Sequence, residues 1–279
     1  MGILYLVATP IGNLEDITLR ALRILKEVAL VAAEDTRTAR QLLTHFDIHK
    51  PITAYFEHSQ ASKINQILDA LEQGDVAVIS EAGMPGLSDP GYELVCAALE
   101  HAYRVVPIPG ANALTAALVA SGLPTDQFTY VGFLPRQKSA RRKLLQSIAN
   151  EPRTLVAYEA PHRICDCLDD LADMLGDRKI CVARELTKMY EEFFRGTVNE
   201  ARKHFAEHAP RGEFTLVIAG ASDLPGLRDL EGLRWDDARV IQAMRDLIAQ
   251  GISRTDAAKQ VARESGRDRR QVYQLSMTS

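Results

Sequence analysis

Residues 76–91, V-A-V-I-S-E-A-G-M-P-G-L-S-D-P-G, decide the fold of this chain. The stretch begins with four apolar residues, a pattern typical of a short strand that is buried on both faces of a sheet. Three glycines and two prolines follow, which is more than a simple turn requires. Asp89 and Pro90 fit a helix N-cap and the first helical position. We therefore predict a strand, a glycine-lined loop and a helix.

This loop is a candidate ligand site, because loops at the carboxyl ends of strands bind ligands in open α/β sheets. Glycine allows positive φ angles and lets the backbone approach a small molecule closely. The spacing G-x-x-G is not the dinucleotide fingerprint G-x-G-x-x-G, and no P-loop G-K-[ST] follows. The stretch alone is equally compatible with a well-turned surface loop.

Composition places the chain among ordinary globular proteins. A length of 279 residues is enough for two modest domains. Contents of 46% hydrophobic and 25% charged residues are typical of a globular protein. A net charge of −4 gives no global attraction for nucleic acid, so any polyanion site must be a local patch. The four cysteines show neither C-x-x-C nor metal-ligand spacing, which favours a reduced, cytoplasmic setting and no metal site. No apolar run approaches the ~18 residues of a membrane span, so we expect no membrane partner.

Alternating strands and helices over residues 1–120 predict an α/β domain with a mainly parallel sheet. The predicted strands are residues 3–8, 28–33, 51–56, 76–79 and 104–107. The loops after them (9–13, 34–37, 81–91 and 107–112) should meet at one edge. After a linker at 121–127, a second α/β domain with a mixed sheet extends to residue 222, and its last two strands, around 189–195 and 213–219, are expected to pair. Residues 221–233 form a predicted tether, and 234–279 a helical extension similar to a helix-turn-helix.

Eight motifs, in order, closely resemble one bacterial family, the ribosomal RNA small subunit methyltransferase I group of the tetrapyrrole methylase superfamily. They are L-V-A-T-P-I-G-N-L-E-D-I-T, A-A-E-D-T-R, S-E-A-G-M-P-G-L-S-D-P-G, P-I-P-G, G-F-L-P, Y-E-A-P-H-R, A-R-E-L-T-K and R-G-E-F-T-L-V-I. The chain departs from the family pattern in having Glu81 in place of the usual aspartate. It also has Ala111 and Asn112 where the family usually has a proline and a small residue.

The resemblance implies two α/β domains with S-adenosylmethionine in the cleft between them, and a homodimer. It also implies methyl transfer to the ribose 2′-oxygen of a cytidine in the decoding region of 16S ribosomal RNA, with the assembled 30S subunit as the expected partner. By the motif match, the donor-binding residues are Pro10, Ile11, Gly83, Met84, Leu87, Asn112, Ala113, Ala160, Leu186 and Glu213. Met84 and Leu87 would pack against the adenosine, although they would also suit a loop that simply packs on its own domain.

Methyl transfer from a sulfonium to a hydroxyl requires alignment and a proton acceptor. The candidate acceptors are Asp35, Glu81, Glu159 (with His162) and Glu185. Each adjoins a basic residue, so interdomain ion pairs are an equally good interpretation of any single one.

Contact with RNA requires a local cluster of positive charge. The candidates are Arg136, Lys138, Arg141, Arg142 and Lys143, with Phe133 placed to stack on a splayed base. A solvated helix start would show the same pattern. A second candidate lies in the tail, at Arg267, Arg269, Arg270 and Tyr273.

Two other functions compete with this hypothesis. One is a methyltransferase of the same fold that acts on a tetrapyrrole or another small molecule. The other is a ligand-sensing DNA-binding regulator that uses the tail as a helix-turn-helix, which we disfavour because the last helix has few side chains suited to base edges.

Overall fold

The computed structural model describes residues 2–56, 61–207, 210–221, 237–265 and 268–277. It divides the chain into a unit of residues 1–221, which contains two sheets, and a helical unit of residues 222–279. Most of the predicted tether, and Arg267 of the tail, lie outside the described residues.

The first sheet is five-stranded and entirely parallel, with the strand order β3-β2-β4-β1-β5. Its strands are β1 (Ile3–Val7), β2 (Leu30–Ala33), β3 (Ile52–Ala54), β4 (Val76–Ile79) and β5 (Arg104–Ile108). The helices between and after them are α1 (Leu19–Glu27), α2 (Thr36–His45), α3 (Ala61–Gln73), α4 (Tyr92–Glu100) and α5 (Ala113–Ala120). The predicted parallel sheet with helices on its faces is confirmed.

Strand β4 is the centre of this sheet, and all four of its residues are buried. Ala77 and Ile79 pack into the apolar cluster that contains α1 and α2. Val76 and Val78 point to the other face, into the cluster formed with α3 and α4. Because successive side chains of a strand alternate between faces, a strand covered on both sides reads as an uninterrupted apolar run.

Neighbouring strands β1 and β4 form the switch point of the sheet. The chain leaves β1 through α1 towards β2 on one side, and leaves β4 through α4 towards β5 on the other. The loops that follow β1 and β4 therefore lead in opposite directions, and a crevice opens between them. Beyond the strands, Thr9 and Gly83 still exchange backbone hydrogen bonds of 2.9 and 3.0 Å.

The second sheet is mixed, with the order β6-β7-β10-β8-β9. Its elements are β6 (Phe128–Phe133), α6 (Lys138–Ser147), β7 (Thr154–Glu159), α7 (Ile164–Leu175), β8 (Lys179–Arg184), β9 (Glu192–Thr197), α8 (Val198–Glu207) and β10 (Phe214–Ile218). The predicted pairing of the last two strands is wrong. Both run antiparallel to β8, on its opposite sides, so β8 separates them.

Helix α5 joins the two sheets. The helices α6, α7 and α8 cover one face of the second sheet. Leu114 and Leu118 of α5 pack on the other face, against Val156, Cys181 and Val217, all fully buried. The domain boundary predicted at residue 121 directly follows α5, whose apolar side chains pack on the second sheet.

The helical unit of residues 222–279 contains α9 (Asp237–Ala249), α10 (Arg254–Ser265) and α11 (Arg269–Leu275) among its described residues. Their shared core includes Val240, Met244, Val261 and Val272. Ser253 caps α10, since its Oγ accepts a hydrogen bond from the amide of Asp256 at 3.2 Å. In the described part of the chain, no helix is both long and apolar enough to cross a membrane.

Candidate active site

A cavity of about 390 Å³ lies where β1 and β4 end, and residues of both sheets line it. Its walls are Ile11, Glu34, Glu81, Ala82, Gly83, Met84, Leu87, Ser88, Asp89, Asn112, Ala113, Phe133, Tyr158, Glu159, Ala160, Pro161, Leu186, Glu213, Phe214 and Thr215. We call it the donor cavity. Its size and its mixture of apolar walls with a few polar groups are typical of small-molecule sites.

The glycine-lined loop forms one wall of the donor cavity, and its three glycines all have positive φ angles. Gly83 has a φ of +80°, in the left-handed region. Gly91 has a φ of +155°, and a Cβ there would lie 3.0 Å from the amide nitrogen of Gly86. Gly91 is also the N-cap of α4, so the prediction of Asp89 as the cap is wrong.

Asp89 lines the donor cavity instead. Burial and, to a smaller extent, the nearby Glu34 carboxylate raise the pKa of Asp89, to about 7 in all. A hydrogen bond with Ser80 acts in the opposite direction, and Glu81 adds a smaller upward effect. The carboxyl group of Asp89 therefore changes its charge near neutral pH.

The donor cavity is strongly acidic. Five of its lining residues carry carboxyl groups, namely Glu34, Glu81, Asp89, Glu159 and Glu213. Of the described residues that line it, none is Lys, Arg or His. This charge pattern favours a cationic ligand and disfavours one that carries several phosphates.

Nine of the ten predicted donor-site residues line this cavity, and only Pro10 lies elsewhere. Met84 and Leu87 both face it, and Leu87 also packs against the apolar cluster around α5. Asn112 is the N-cap of α5, where its Oδ1 accepts a hydrogen bond from the amide of Thr115 at 3.2 Å.

A wall of aromatic side chains and hydroxyl groups completes the cavity, and most of these residues were not predicted from the sequence. Ser88 Oγ and the Tyr130 hydroxyl lie 2.6 Å apart, which connects the glycine-lined loop to the second sheet. The Tyr158 hydroxyl accepts a hydrogen bond from the amide of Leu114 at 3.1 Å. Tyr158 belongs to the motif Y-E-A-P-H-R, but no spacing rule in the sequence indicates which of its side chains faces a ligand.

Two of the four predicted proton acceptors, Glu81 and Glu159, line the donor cavity. Glu159 is buried, and its Oε1 accepts hydrogen bonds from Arg163 Nε at 2.6 Å and from the amide of Ala160 at 2.7 Å. Its Oε2 is buried without a hydrogen bond. His162, its predicted companion, is exposed and does not line the cavity.

The other two candidates, Asp35 and Glu185, do not line the cavity. Asp35 caps α2 and pairs with Arg37 at 2.6 Å, and its hydrogen bonds to Arg37 lower the pKa of Asp35 to about 2. Burial pushes the pKa of Glu185 upward, but its hydrogen bonds with Lys188 and with the amide of Glu213 outweigh burial and lower it. Both groups are therefore poor proton acceptors.

The residues of the predicted RNA-binding stretch differ in their exposure to solvent. The structure does not support RNA contact by Arg141, because its side chain is buried and pairs with the buried Asp170 at 2.6 Å. Arg142 pairs with Asp170 at 2.9 Å and with Asp173 at 2.8 Å. Arg136, Lys138 and Lys143 are exposed. Phe133, the predicted stacking residue, lines the donor cavity.

A second cavity of about 350 Å³ adjoins the first, and Glu81 lines both. Its walls are Thr9, Pro10, Gly12, Leu14, Thr38, Ala39, Gln41, Leu42, His45, Ile79, Ser80 and Glu81. An exposed face of α2 continues outward from it, with Arg37, Arg40, Gln41, Thr44 and His45. Neither this cavity nor α2 was predicted from the sequence.

Comparison with known proteins identifies the family. Residues 3–202 match the family model of Tetrapyrrole (Corrin/Porphyrin) Methylases. The "Ribosomal RNA small subunit methyltransferase I" of Synechocystis sp. is 50% identical over 281 residues, covering 99% of this chain and 98% of that relative. The chain belongs to the ribosomal RNA small subunit methyltransferase I family. A member of the same name from Halalkalibacterium halodurans is 47% identical, covering 98% of this chain and 94% of its own length.

Membership of this methyltransferase I family makes the chain a methyltransferase that uses S-adenosylmethionine. A solved structure supports the fold. Uroporphyrin-III C-methyl transferase from Thermus thermophilus, complexed with S-adenyl homocysteine, matches with a TM-score of 0.53 at 22% identity. The match covers 78% of this chain and 97% of that chain. The predicted tetrapyrrole-methylase fold is thereby confirmed.

Proposed function

We propose that this enzyme transfers a methyl group from S-adenosylmethionine to the ribose 2′-oxygen of a cytidine in the decoding region of 16S ribosomal RNA. The observation that carries the proposal is its near-full-length similarity to relatives named ribosomal RNA small subunit methyltransferase I. That similarity favours RNA over a tetrapyrrole or another small molecule as the acceptor. It equally favours an enzyme over a DNA-binding regulator.

The residues of the donor cavity fit S-adenosylmethionine. Its sulfonium and ammonium groups are positive, and five carboxyl residues line the cavity. Met84 and Leu87 offer apolar surface for the adenosine, and Glu159 Oε2 offers a buried acceptor without a hydrogen bond. When bound, this cofactor supplies a methyl group that is already activated by the positive sulfur.

Glu81 fits the role of proton acceptor better than the other three candidates do. It lines both cavities, so its carboxylate lies where a donor on one side and an acceptor on the other would meet. A ribose hydroxyl is a weak acid, and a carboxylate within hydrogen-bond reach can take up its proton during transfer. Glu159 is held by Arg163 and is buried, which makes it a ligand-binding group in this proposal.

The form of the substrate, the oligomeric state and the location follow from the family resemblance. We take the assembled 30S subunit as the substrate, a homodimer as the working form and the cytoplasm as the location. The remaining exposed residues of the basic stretch, Arg136, Lys138 and Lys143, are proposed RNA contacts.

The test is incubation of the purified enzyme with unmethylated 30S subunits and labelled S-adenosylmethionine, followed by nuclease mapping and mass spectrometry. The expected product is a single labelled 2′-O-methylcytidine in the decoding region. Absence of label in the RNA, or label only in a uroporphyrinogen-type substrate, would contradict the proposal.

Glu81→Gln tests the proton acceptor in the same assay. The variant should lower kcat by about 10²- to 10⁴-fold, since it keeps the shape of the side chain but cannot accept the proton. Its affinity for S-adenosylmethionine should change far less than kcat. Glu100→Gln, an exposed change at the end of α4, is the matched control and should behave as wild type.

A further inference from the structure

We propose that the second cavity and the adjoining face of α2 form the acceptor site, which holds the target ribonucleotide and a flanking phosphate of the RNA. This inference rests on the proposed function and adds a location for the RNA substrate. The face in question consists of Arg37, Arg40, Gln41, Thr44 and His45, and we call it the α2 face.

The second cavity lies beside the donor cavity. Methyl transfer requires the reacting atoms to approach within about 3–3.5 Å, so the acceptor must occupy space that adjoins the donor. The loop after β1 separates the two cavities, with Pro10 lining the second and Ile11 lining the first. Glu81 lines both. The shared lining residue places the second cavity next to the donor cavity, as an acceptor site requires.

The lining of the second cavity suits a nucleoside. Thr38, Gln41 and His45 offer hydrogen-bond donors and acceptors, which suit the edges of a base or the hydroxyls of a ribose. Pro10 and Leu42 offer apolar surface for the flat face of a base. At about 350 Å³ the cavity lies at the lower end of the range that small-molecule sites occupy, which suits a single nucleoside.

The α2 face carries positive charge. Residues at positions 37, 40, 41, 44 and 45 follow the spacing of one helix face, and α2 contains no acidic residue. Arg40 is exposed and makes no hydrogen bond or ion pair within the described residues. Arg37 pairs with Asp35 yet leaves 84% of its side chain exposed. Guanidinium groups are the preferred partners of phosphate.

The residues around the two cavities therefore differ in the sign of their charge. Carboxyl groups line the donor cavity, where a cationic cofactor binds, and two arginines border the second cavity, where a polyanion would bind. This separation places each substrate on its own side of Glu81. It also explains how a chain with a net charge of −4 can bind RNA, because only a local surface needs to be basic.

Arg40→Gln tests the phosphate contact. Removing one phosphate contact should weaken binding of 30S subunits and reduce the slope of log Kd against log salt by roughly one. The affinity for S-adenosylmethionine, measured by calorimetry, should stay within twofold of wild type. Lys203→Gln is the matched control, because Lys203 is an exposed cation on α8, a helix that covers the opposite side of the second sheet from α5.

Thr38→Trp tests the cavity itself. Thr38 is exposed in the first turn of α2 and lines the second cavity, so an indole there should fill the space for the nucleoside. We expect kcat/KM for 30S subunits to fall at least tenfold, with the same melting temperature and the same affinity for S-adenosylmethionine as wild type.

The outcomes separate this inference from the proposed function. If wild type methylates 16S RNA while Arg40→Gln keeps the wild-type salt slope, or Thr38→Trp keeps wild-type kcat/KM, the acceptor site lies elsewhere. A wild-type enzyme that leaves 30S subunits unmethylated would instead overturn the proposed function. A Lys203→Gln variant that changes the salt slope as much as Arg40→Gln would also overturn the assignment to the α2 face.

Discussion

Asp89 is the residue through which pH should control cofactor binding. Its carboxyl has a pKa of about 7, and Glu34, Glu81, Tyr130 and Tyr158 are the titratable groups near it. Below that pKa the group keeps its proton and is neutral. Above it, one more negative charge faces the cationic cofactor, so binding should strengthen as the pH rises through 7.

Calorimetric titration of S-adenosylmethionine at pH 5.5 and pH 8.5 checks this expectation. Asp89→Asn should bind with the weaker, low-pH affinity of wild type at both values. Glu34→Gln removes a neighbouring charge that raises the pKa of Asp89, so its binding transition should move to lower pH. A wild-type affinity that is constant across the range would refute the role of Asp89.

Nine of the ten residues that the motifs predict for the donor site line one cavity. Asp89 was misassigned because an Asp-Pro pair before an apolar stripe is typical of a helix start. Only the φ of Gly91 shows that the helix begins later. Arg141 was misassigned because a run of basic residues does not reveal which of them faces a buried carboxylate on another helix.

At the scale of elements, the contact between α6 and α7 depends on Asp170. Its carboxylate is buried and pairs with Arg141 and Arg142 of α6. Asp170→Asn would leave the buried Arg141 without its counter-charge, which typically costs about 3–5 kcal/mol.

Urea unfolding monitored by circular dichroism measures this loss. Asp173→Asn is the matched control, because Asp173 is more than half exposed and pairs only with Arg142 in the described residues. Its effect should stay within about 1 kcal/mol. Equal stabilities for Asp170→Asn and wild type would show that the buried pair contributes nothing.

Whether a segment forms a strand was easier to predict than which strand it pairs with. Strand β4 was predicted with its observed bounds, because burial on both faces leaves a continuous apolar run. Helix α2 was not predicted, since only two buried side chains, Ala39 and Leu43, mark the inner face of this short, basic segment. The pairing of β9 and β10 with β8 depends on contacts distant in sequence, and strand patterns do not specify such partners.

At the scale of the whole molecule, α5 should make the two sheets unfold together. Leu118 is 3% exposed and lies in the apolar cluster that α5 forms with the second sheet and with Ile11 and Leu87 of the loops after β1 and β4. Leu118→Ala should destabilise the unit of residues 1–221 by about 2–5 kcal/mol. Amide exchange in β4 and in β8 should accelerate by the same factor, because both strands depend on the same interface.

Val119→Ala is the matched control for this prediction. Val119 is the next residue of α5 but is 74% exposed, so its truncation should be nearly neutral. Faster exchange in only one of the two strands would mean that the sheets unfold independently. The sequence could not predict this coupling, because the linker at 121–127 indicates where the chain passes between sheets and not which face α5 covers.

One consequence follows from the position of Cys181. Its thiol lies fully buried between α5 and the second sheet, and burial raises the pKa of the Cys181 thiol. Alkylating reagents attack the thiolate, so they can modify this cysteine only when α5 separates from the second sheet. The rate of Cys181 alkylation therefore measures how often α5 separates from the second sheet. Cofactor that binds only the packed form should reduce this rate in proportion to its saturation.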